Sequence, residues 1–303
     1  MVVSDGRRGI ENQALGLAEA VARLTPMRLL TVHVPRTGRI PDPGPIAPDL
    51  WIGCGQAALR ALTAHRRAFP RTRFVYVQDP KGGEDRFDLI VAPQHDHARG
   101  RNVLETLGSP NRITPERLKA AAEDPAFKPG IDALPGPRAA VLIGGASKRH
   151  RFTEEAGAYL LERLADLLDQ DVSLMITVSR RTPERFAAQL KAGFGEEARV
   201  LIHDGEGPNP YFAWLARADW IFVTEDSTNM LTEAAATGKP VYRLALEGGA
   251  GKFDRLYQGL EAHGAVRPWL GRLERWDYAA LDETGRAARG VLEMLKARSD
   301  IHP

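Results

Sequence analysis

ADWIFVTEDSTNMLTEAAATGKPVY, residues Ala218 to Tyr242, is the stretch from which the rest of the chain is read. The apolar run Trp220-Ile221-Phe222-Val223 has the length and the β-branched and aromatic content of a buried parallel strand. Thr224, Glu225, Asp226, Ser227 and Thr228 then supply a turn and a choice of N-caps, and Met230 to Ala236 continues as a helix of good formers. Gly238 ends that helix, and Lys239-Pro240 leads into a second apolar run at Val241-Tyr242. The result is a short strand–turn–helix–strand crossover, the building unit of a parallel α/β sheet. Around the helix, Leu231, Ala234 and Ala235 form a packing face, while Asp226, Asn229 and Glu233, spaced i, i+3, i+7, share another. That polar face begins at the carboxyl end of the strand, where open α/β sheets bind ligands. Ser227, Thr228 and the N–H groups of the first turn suit a phosphate. Glu233, a turn further in, suits a ribose diol, from which a carboxylate accepts two hydrogen bonds. An ordinary capped helix with solvated polar residues would satisfy the same letters.

At 303 residues the chain is about twice the usual domain, so two domains are expected. A 43% hydrophobic and 26% charged composition describes a globular protein, and a net charge of only +2 argues against a dedicated nucleic-acid binder. The single cysteine, Cys54, excludes an internal disulfide and a cysteine-rich zinc site, and fits a reducing compartment. No run approaches the roughly 18 apolar residues of a membrane span. Met1 leads directly into Val2-Val3-Ser4-Asp5-Gly6, a strand and a turn, so the expected location is the cytoplasm.

In the first half, Glu11 to Leu24 reads as an amphipathic helix with Leu17, Ala18, Val21 and Leu24 at helical spacing. Leu29 to Val34 reads as a strand, followed by a Pro-rich loop and the strand Asp49 to Ile52. Gly53-Cys54-Gly55-Gln56-Ala57-Ala58 then has the form G-x-G-x-x-A, and Asp79 follows the strand Phe74 to Val77, which keeps a nicotinamide enzyme among the alternatives. Another βα unit precedes this one, whereas the fingerprint normally opens its fold, so a tight turn and close helix packing explain the glycines better. Arg60 to Arg73 carries five arginines and no acid, a solvated face or an approach to an anionic partner. His95-Asp96-His97 after the strand Asp88 to Ala92 invites a metal, but neighbouring residues in extended chain point apart and no further ligands accompany them, so no metal is expected.

Six prolines between 108 and 137 mark a linker, giving a first domain at 1–107 and a second at 138–303. Residues 1–137 hold 19 basic against 15 acidic residues and the remainder 22 against 24, so an anionic partner meets the first half more readily. The second domain restarts with the strand Ala139 to Ile143. Gly144, Gly145, Ser147 and Lys148 follow, without Walker A spacing, yet able to wrap a diphosphate with backbone N–H groups and a cation. Arg180 and Arg181 after the strand Ser173 to Val178 add charge at another strand end that could help neutralise phosphate. Helices are expected at Pro115 to Ala122, Glu154 to Leu168, from Thr182-Pro183, from Asn209-Pro210 to Ala216, at Asp254 to Ala262 and at Leu281 to Ala297. Val200 to Ile202 is a further strand.

The Ala-Asp strand, Ser/Thr turn, Glu-Ala and Gly-Lys-Pro of the opening stretch resemble the donor-nucleotide signature of GT-B glycosyltransferases. ENQALGLAEA, Glu11 to Ala20, together with VTEDSTNMLTEAAATGKPVY resembles more closely the mitochondrial-fission family named for an elongated-mitochondria plant protein, over nearly the whole chain. The resemblance implies an α/β fold of two Rossmann-like domains facing a cleft, with the last helix crossing back onto the first domain. It implies a nucleoside diphosphate sugar held by Gly144, Gly145, Ser147, Lys148, Arg180, Asp226, Ser227, Thr228, Asn229 and Glu233. Glu11 or Asp5 would act as base on an acceptor hydroxyl, the acceptor being anionic or membrane-associated and the protein at most peripheral at a membrane. No cofactor is expected beyond the nucleotide sugar. Two further classes stay open: an epimerase sharing the donor site, and a non-catalytic scaffold in membrane dynamics. One departure is Asp226 and Asn229, where GT-B donor loops commonly have glycine, since a carboxylate beside a diphosphate costs affinity unless it is turned away.

Overall fold

The computed structural model describes residues 1–249 and 251–299, and the chain divides into two compact units, 1–112 with 282–303 and 113–281. The first unit opens with β1 (Val2–Ser4), α1 (Arg8–Leu24) and β2 (Thr31–His33), and continues with β3 (Leu50–Cys54), α2 (Gly55–Ala68) and β4 (Arg73–Val77). β5 (Leu89–Pro93) and β6 (Val103–Thr106) complete a parallel sheet in the order β2-β1-β3-β4-β5-β6. The inner strands are buried on both faces, which is why Leu50 to Cys54 and Phe74 to Val77 are continuous apolar runs rather than alternating ones. One face packs Trp51, Phe74 and Tyr76 against Ala58, Ala61 and Leu62 of α2. The other packs Ile52, Val75 and Val77 with Ala14, Leu17 and Val21 of α1.

The second unit begins with two helices, α3 (Pro115–Ala122) and α4 (Lys128–Ala133). Its sheet elements follow as β7 (Arg138–Ile143), β8 (His150–Arg151), α5 (Glu154–Asp169), β9 (Ser173–Val178), α6 (Glu184–Phe194) and β10 (Val200–His203). Then come α7 (Tyr211–Arg217), β11 (Trp220–Thr224), α8 (Thr228–Ala235), β12 (Val241–Leu244), β13 (Glu247–Gly248), α9 (Asp254–Ala262) and β14 (Val266–Pro268). The main sheet is parallel in the order β10-β9-β7-β11-β12-β14. With β7 counted as its first strand, this is the doubly wound order 3-2-1-4-5-6, and the winding reverses between β7 and β11. Both α3 and α4 pack against α7 within this unit. The chain closes with α10 (Glu283–Ser299), whose Ala287, Ala288 and Val291 join the α1 face of the first unit.

Two parallel six-stranded sheets with flanking helices are the α/β class with two Rossmann-like halves. The structure adds elements that the residue pattern does not announce. β6 and β14 are edge strands of four and three residues in which polar residues interrupt the apolar ones. α4 runs through Pro129 and Gly130, which read as breakers, but Pro is tolerated in the first helical turn where its missing N–H has no partner to lose. β8 and β13 form a separate antiparallel ribbon that ties the loop after β7 to the loop after β12.

Candidate functional site

The carboxyl ends of β7 and β11 flank the point where the second sheet reverses its winding, and the loops there are tied together through Asp226. Asp226 is fully buried at its side chain, its Oδ2 lies 2.6 Å from Arg181 Nη2, and the same oxygen accepts the Gly145 N–H at 3.0 Å. Thr224 Oγ1 donates to Asp226 Oδ1 at 2.7 Å and accepts the Gly144 N–H at 2.7 Å. Both glycines are required by contact rather than by φ. A Cβ on Gly144 would lie 2.2 Å from Asp226 Oδ1, and one on Gly145 would lie 2.0 Å from the Arg181 carbonyl oxygen. The backbone donors of the loop are thus already engaged, the Gly145 N–H by the protein's own carboxylate and the Gly144 N–H by the Thr224 hydroxyl. Asp226 is turned inward, away from solvent, and the repulsion that its charge would bring to a bound phosphate is offset by Arg181.

Other side chains named from the sequence also serve their own loops. Ser147 Oγ accepts the N–H groups of Arg149 at 3.2 Å and His150 at 3.0 Å, and Ser227 Oγ caps α8 by accepting the Met230 N–H at 3.4 Å. Lys148 and Arg180, at the ends of β7 and β9, are exposed and make no ion pair among the described residues. Thr228 and Asn229 are half-buried in the first turn of α8. Nearby, Glu225 accepts Arg243 Nη1 at 2.6 Å and the Leu246 N–H at 2.9 Å, which fixes the loop after β12, and the buried His150 places Nε2 at 3.9 Å from it.

Glu233 sits two turns into α8 and is partly buried. Tyr211, the first residue of α7, donates its hydroxyl to Glu233 Oε2 at 2.5 Å. Removal from water pushes the Glu233 carboxyl up to about 7, against the pull of the tyrosine bond in the other direction, and burial likewise raises the Tyr211 phenol. At the far end of the helix Lys239 donates to the carbonyls of Ala216 and Ala218, both at 2.5 Å, and burial lowers its ammonium to about 8. Sequence reading missed Tyr211, Thr224 and Arg181 as partners, because each reaches its role across a loop or an adjacent helix. A signal was present for Thr224, the last residue of β11, and for Arg181, which with Arg180 follows β9, but none for Tyr211.

In the first unit, Asp5 follows β1 and accepts the Arg7 backbone N–H at 3.1 Å and Arg7 Nε at 2.7 Å. Glu11 Oε1 accepts the buried Ser4 hydroxyl at 3.2 Å and lies 2.5 Å from His33 Nε2, so the two candidate bases have different partners. Gly55 opens α2 with φ +79°, and a Cβ there would lie 2.8 Å from Ile10 Cγ2, so this glycine serves the turn and the approach of α1. No group of three or more metal-ligating side chains occurs among the described residues, and no helix among them is long and apolar enough to cross a membrane. A concavity of about 590 Å³ in the second unit is lined by Thr153, Glu155, Ala156, Tyr159, Ala245, Leu246 and Glu247; Leu246 joins it to Glu225 through its N–H, while Asp226, Glu233 and their hydrogen-bond partners do not line it.

A profile of the family described as "Mitochondrial fission ELM1" matches residues 8–295. Mitochondrial fission protein ELM1 of Arabidopsis thaliana is 29% identical over 278 residues, covering 83% of this chain. The chain spans 65% of the length of that relative. Among solved structures, UDP-GlcNAc 2-epimerase from Methanocaldococcus jannaschii superposes with a TM-score of 0.60 at 12% identity, covering 98% of this chain and 99% of that one. The same enzyme in complex with UDP-GlcNAc and UDP gives a TM-score of 0.57 at 12% identity, with 98% of each chain covered. At that identity the likeness is one of fold, and it is the two-Rossmann architecture of the GT-B class.

Proposed function

The chain belongs to the mitochondrial fission ELM1 family, and we propose that it is a GT-B-like glycosyltransferase that takes its sugar from a nucleoside diphosphate donor bound at the second unit. One observation carries this reading: Glu233 lies on the helix that starts at the winding reversal of the second sheet, with Oε2 held by Tyr211 and Oε1 without a hydrogen bond among the described residues. A carboxylate on a helix that starts at the strand ends, with the exposed Lys148 and Arg180 in the loops after β7 and β9, suits a ligand with a hydroxylated sugar ring at one end and phosphate at the other. Gly144, Gly145 and Asp226 shape the floor, Lys148 and Arg180 offset the phosphate charge, and the first turn of α8 with Ser227, Thr228 and Asn229 adds its dipole. Ser147 shapes the turn that presents Lys148. The epimerase neighbour shares the fold and was solved with a nucleotide sugar, which agrees with this class of ligand.

Transfer needs a base for the acceptor hydroxyl. Glu11, held by Ser4 and His33, or Asp5, paired with Arg7, is proposed for that role. The acceptor is proposed to be anionic or membrane-associated, in keeping with the basic excess of the first half. Thermal shift against nucleoside diphosphates, nucleotide sugars and NAD(P), repeated on Glu233→Ala, tests the reading. Stabilisation by one nucleoside diphosphate and its sugar, lost in the variant, is the expected result. A shift by NAD(P) alone, or none in the folded protein, contradicts it, and sugar epimerisation without acceptor would replace transfer by the chemistry of the structural neighbour.

A further inference from the structure

Glu233 has two carboxylate oxygens in unlike surroundings. Oε2 accepts the Tyr211 hydroxyl at 2.5 Å, short for any hydrogen bond and in the range of a charge-assisted O–H···O⁻ contact. Oε1 makes no hydrogen bond among the described residues, and Glu233 is only partly buried. The tyrosine is not a loosely swinging side chain. Its backbone N–H donates to Asn209 Oδ1 at 3.0 Å, its ring stands edge-on to Phe212 at 5.7 Å, and Arg117 lies over Phe212 at 5.5 Å. The neighbouring Ala213, Trp214 and Leu215 anchor α7 in the unit's interior.

We propose that Tyr211 is a positioning and specificity residue: by occupying one oxygen of Glu233 it leaves only the other open to the ligand, so the two-oxygen grip on a cis-diol is lost and the site reads one ribose hydroxyl and not both. The proposal rests on the nucleotide-sugar reading above and refines it. An unhindered carboxylate facing a cis-diol accepts from both hydroxyls and penalises the loss of either. Here the second acceptor position is filled from within the protein. The hydroxyl that faces Oε1 is then required, while its neighbour is open to removal or substitution. The tyrosine bond also fixes the carboxylate plane, so the surviving contact is pre-aimed, which limits the ordering cost on binding.

The test is equilibrium titration of the wild type and Tyr211→Phe with the nucleoside diphosphate that binds best, and with its 2′-deoxy and 3′-deoxy analogues. In the wild type, one deoxy analogue should bind within about twofold of the parent and the other about tenfold more weakly, the usual scale of one hydrogen bond to a charged group. In Tyr211→Phe, with Oε2 released, both deoxy analogues should lose affinity relative to the parent. Equal losses for both analogues in the wild type, unchanged by Tyr211→Phe, would overturn the inference and leave the donor site standing. Failure of the wild type to bind any parent nucleotide would overturn the donor site and this inference together. Circular dichroism and the melting curve of Tyr211→Phe separate a lost contact from a lost fold.

Discussion

At Glu233 the cost of desolvating a carboxylate becomes a pH dependence of stability. The ordinary value is 4.5 and the folded value about 7, so between these limits the folded chain holds a proton that the unfolded chain has released. Stability therefore falls as pH rises from 4.5 to 7 and levels off above it, by roughly 3 kcal/mol at about 1.4 kcal/mol per pH unit. Glu233→Gln should remove that slope, so that urea melts of the variant and the wild type diverge between pH 5 and pH 8, with the variant the more stable at the higher pH. Parallel curves would mean that the carboxyl is not desolvated. At Asp226 the carboxylate is matched by Arg181. Asp226→Ala leaves the Gly145 N–H and Arg181 without their acceptor, and a loss of about 2 kcal/mol by urea denaturation is expected. A loss under about 0.5 kcal/mol would show that water replaces the carboxylate without cost. The helical spacing of Asn229 and Glu233 was readable from sequence, since i, i+4 is a local rule, but Asp226 precedes the N-cap Ser227 and does not share their helix face. That Asp226 points inward was not readable, because Gly145 and Arg181 lie 81 and 45 positions away and no spacing rule links them.

Elements were legible in proportion to how fully they are buried. Ser173–Val178 and Asp254–Ala262 have the bounds that their residues suggest, the first a continuous apolar run and the second a helix with Leu256, Tyr257 and Leu260 on one face. Edge strands such as Val266–Pro268 pair along one side only, so three residues suffice and leave little pattern. The helix announced by Thr182-Pro183 starts at Glu184 with Pro183 at its N-cap position, a shift of one residue, while Thr182 turns its hydroxyl to the Gly144 carbonyl instead. The loops after β7 and β9 are thus built as one piece. Gly145→Ala places a methyl 2.0 Å from the Arg181 carbonyl oxygen and must separate them. The expected outcome is a loss of about 1–3 kcal/mol together with the loss of nucleotide-induced stabilisation. An unchanged melting temperature and ligand shift would show that the two loops move independently.

At the scale of the whole molecule the first unit is discontinuous in sequence, completed by α10 from the end of the chain. Ala287, Ala288 and Val291 are fully buried there, and their removal would expose the small-residue face of α1 with Ala14, Leu17 and Val21. Ending the chain at Leu281 should therefore unfold or strongly destabilise the first unit. Residues 113–281 alone should melt cooperatively, since their core is made within that span. Calorimetry of both truncations checks this, and an intact first-unit transition in the chain ending at Leu281 would contradict it. The two-sheet architecture could be expected from repeated strand–helix alternation. The pairing of the last helix with the first could be expected only from family resemblance, because nothing in the residues of α10 names α1 as its partner.

We propose that a nucleoside diphosphate sugar binds where the second sheet reverses its winding. Amide hydrogen exchange with and without saturating nucleotide sugar locates the ligand without assuming any chemistry. Slower exchange is expected in residues 144–149 and 225–233, with little change in residues 53–58. Protection at residues 53–58 with none at the loops after β7 and β11, or no protection at either place, would contradict it.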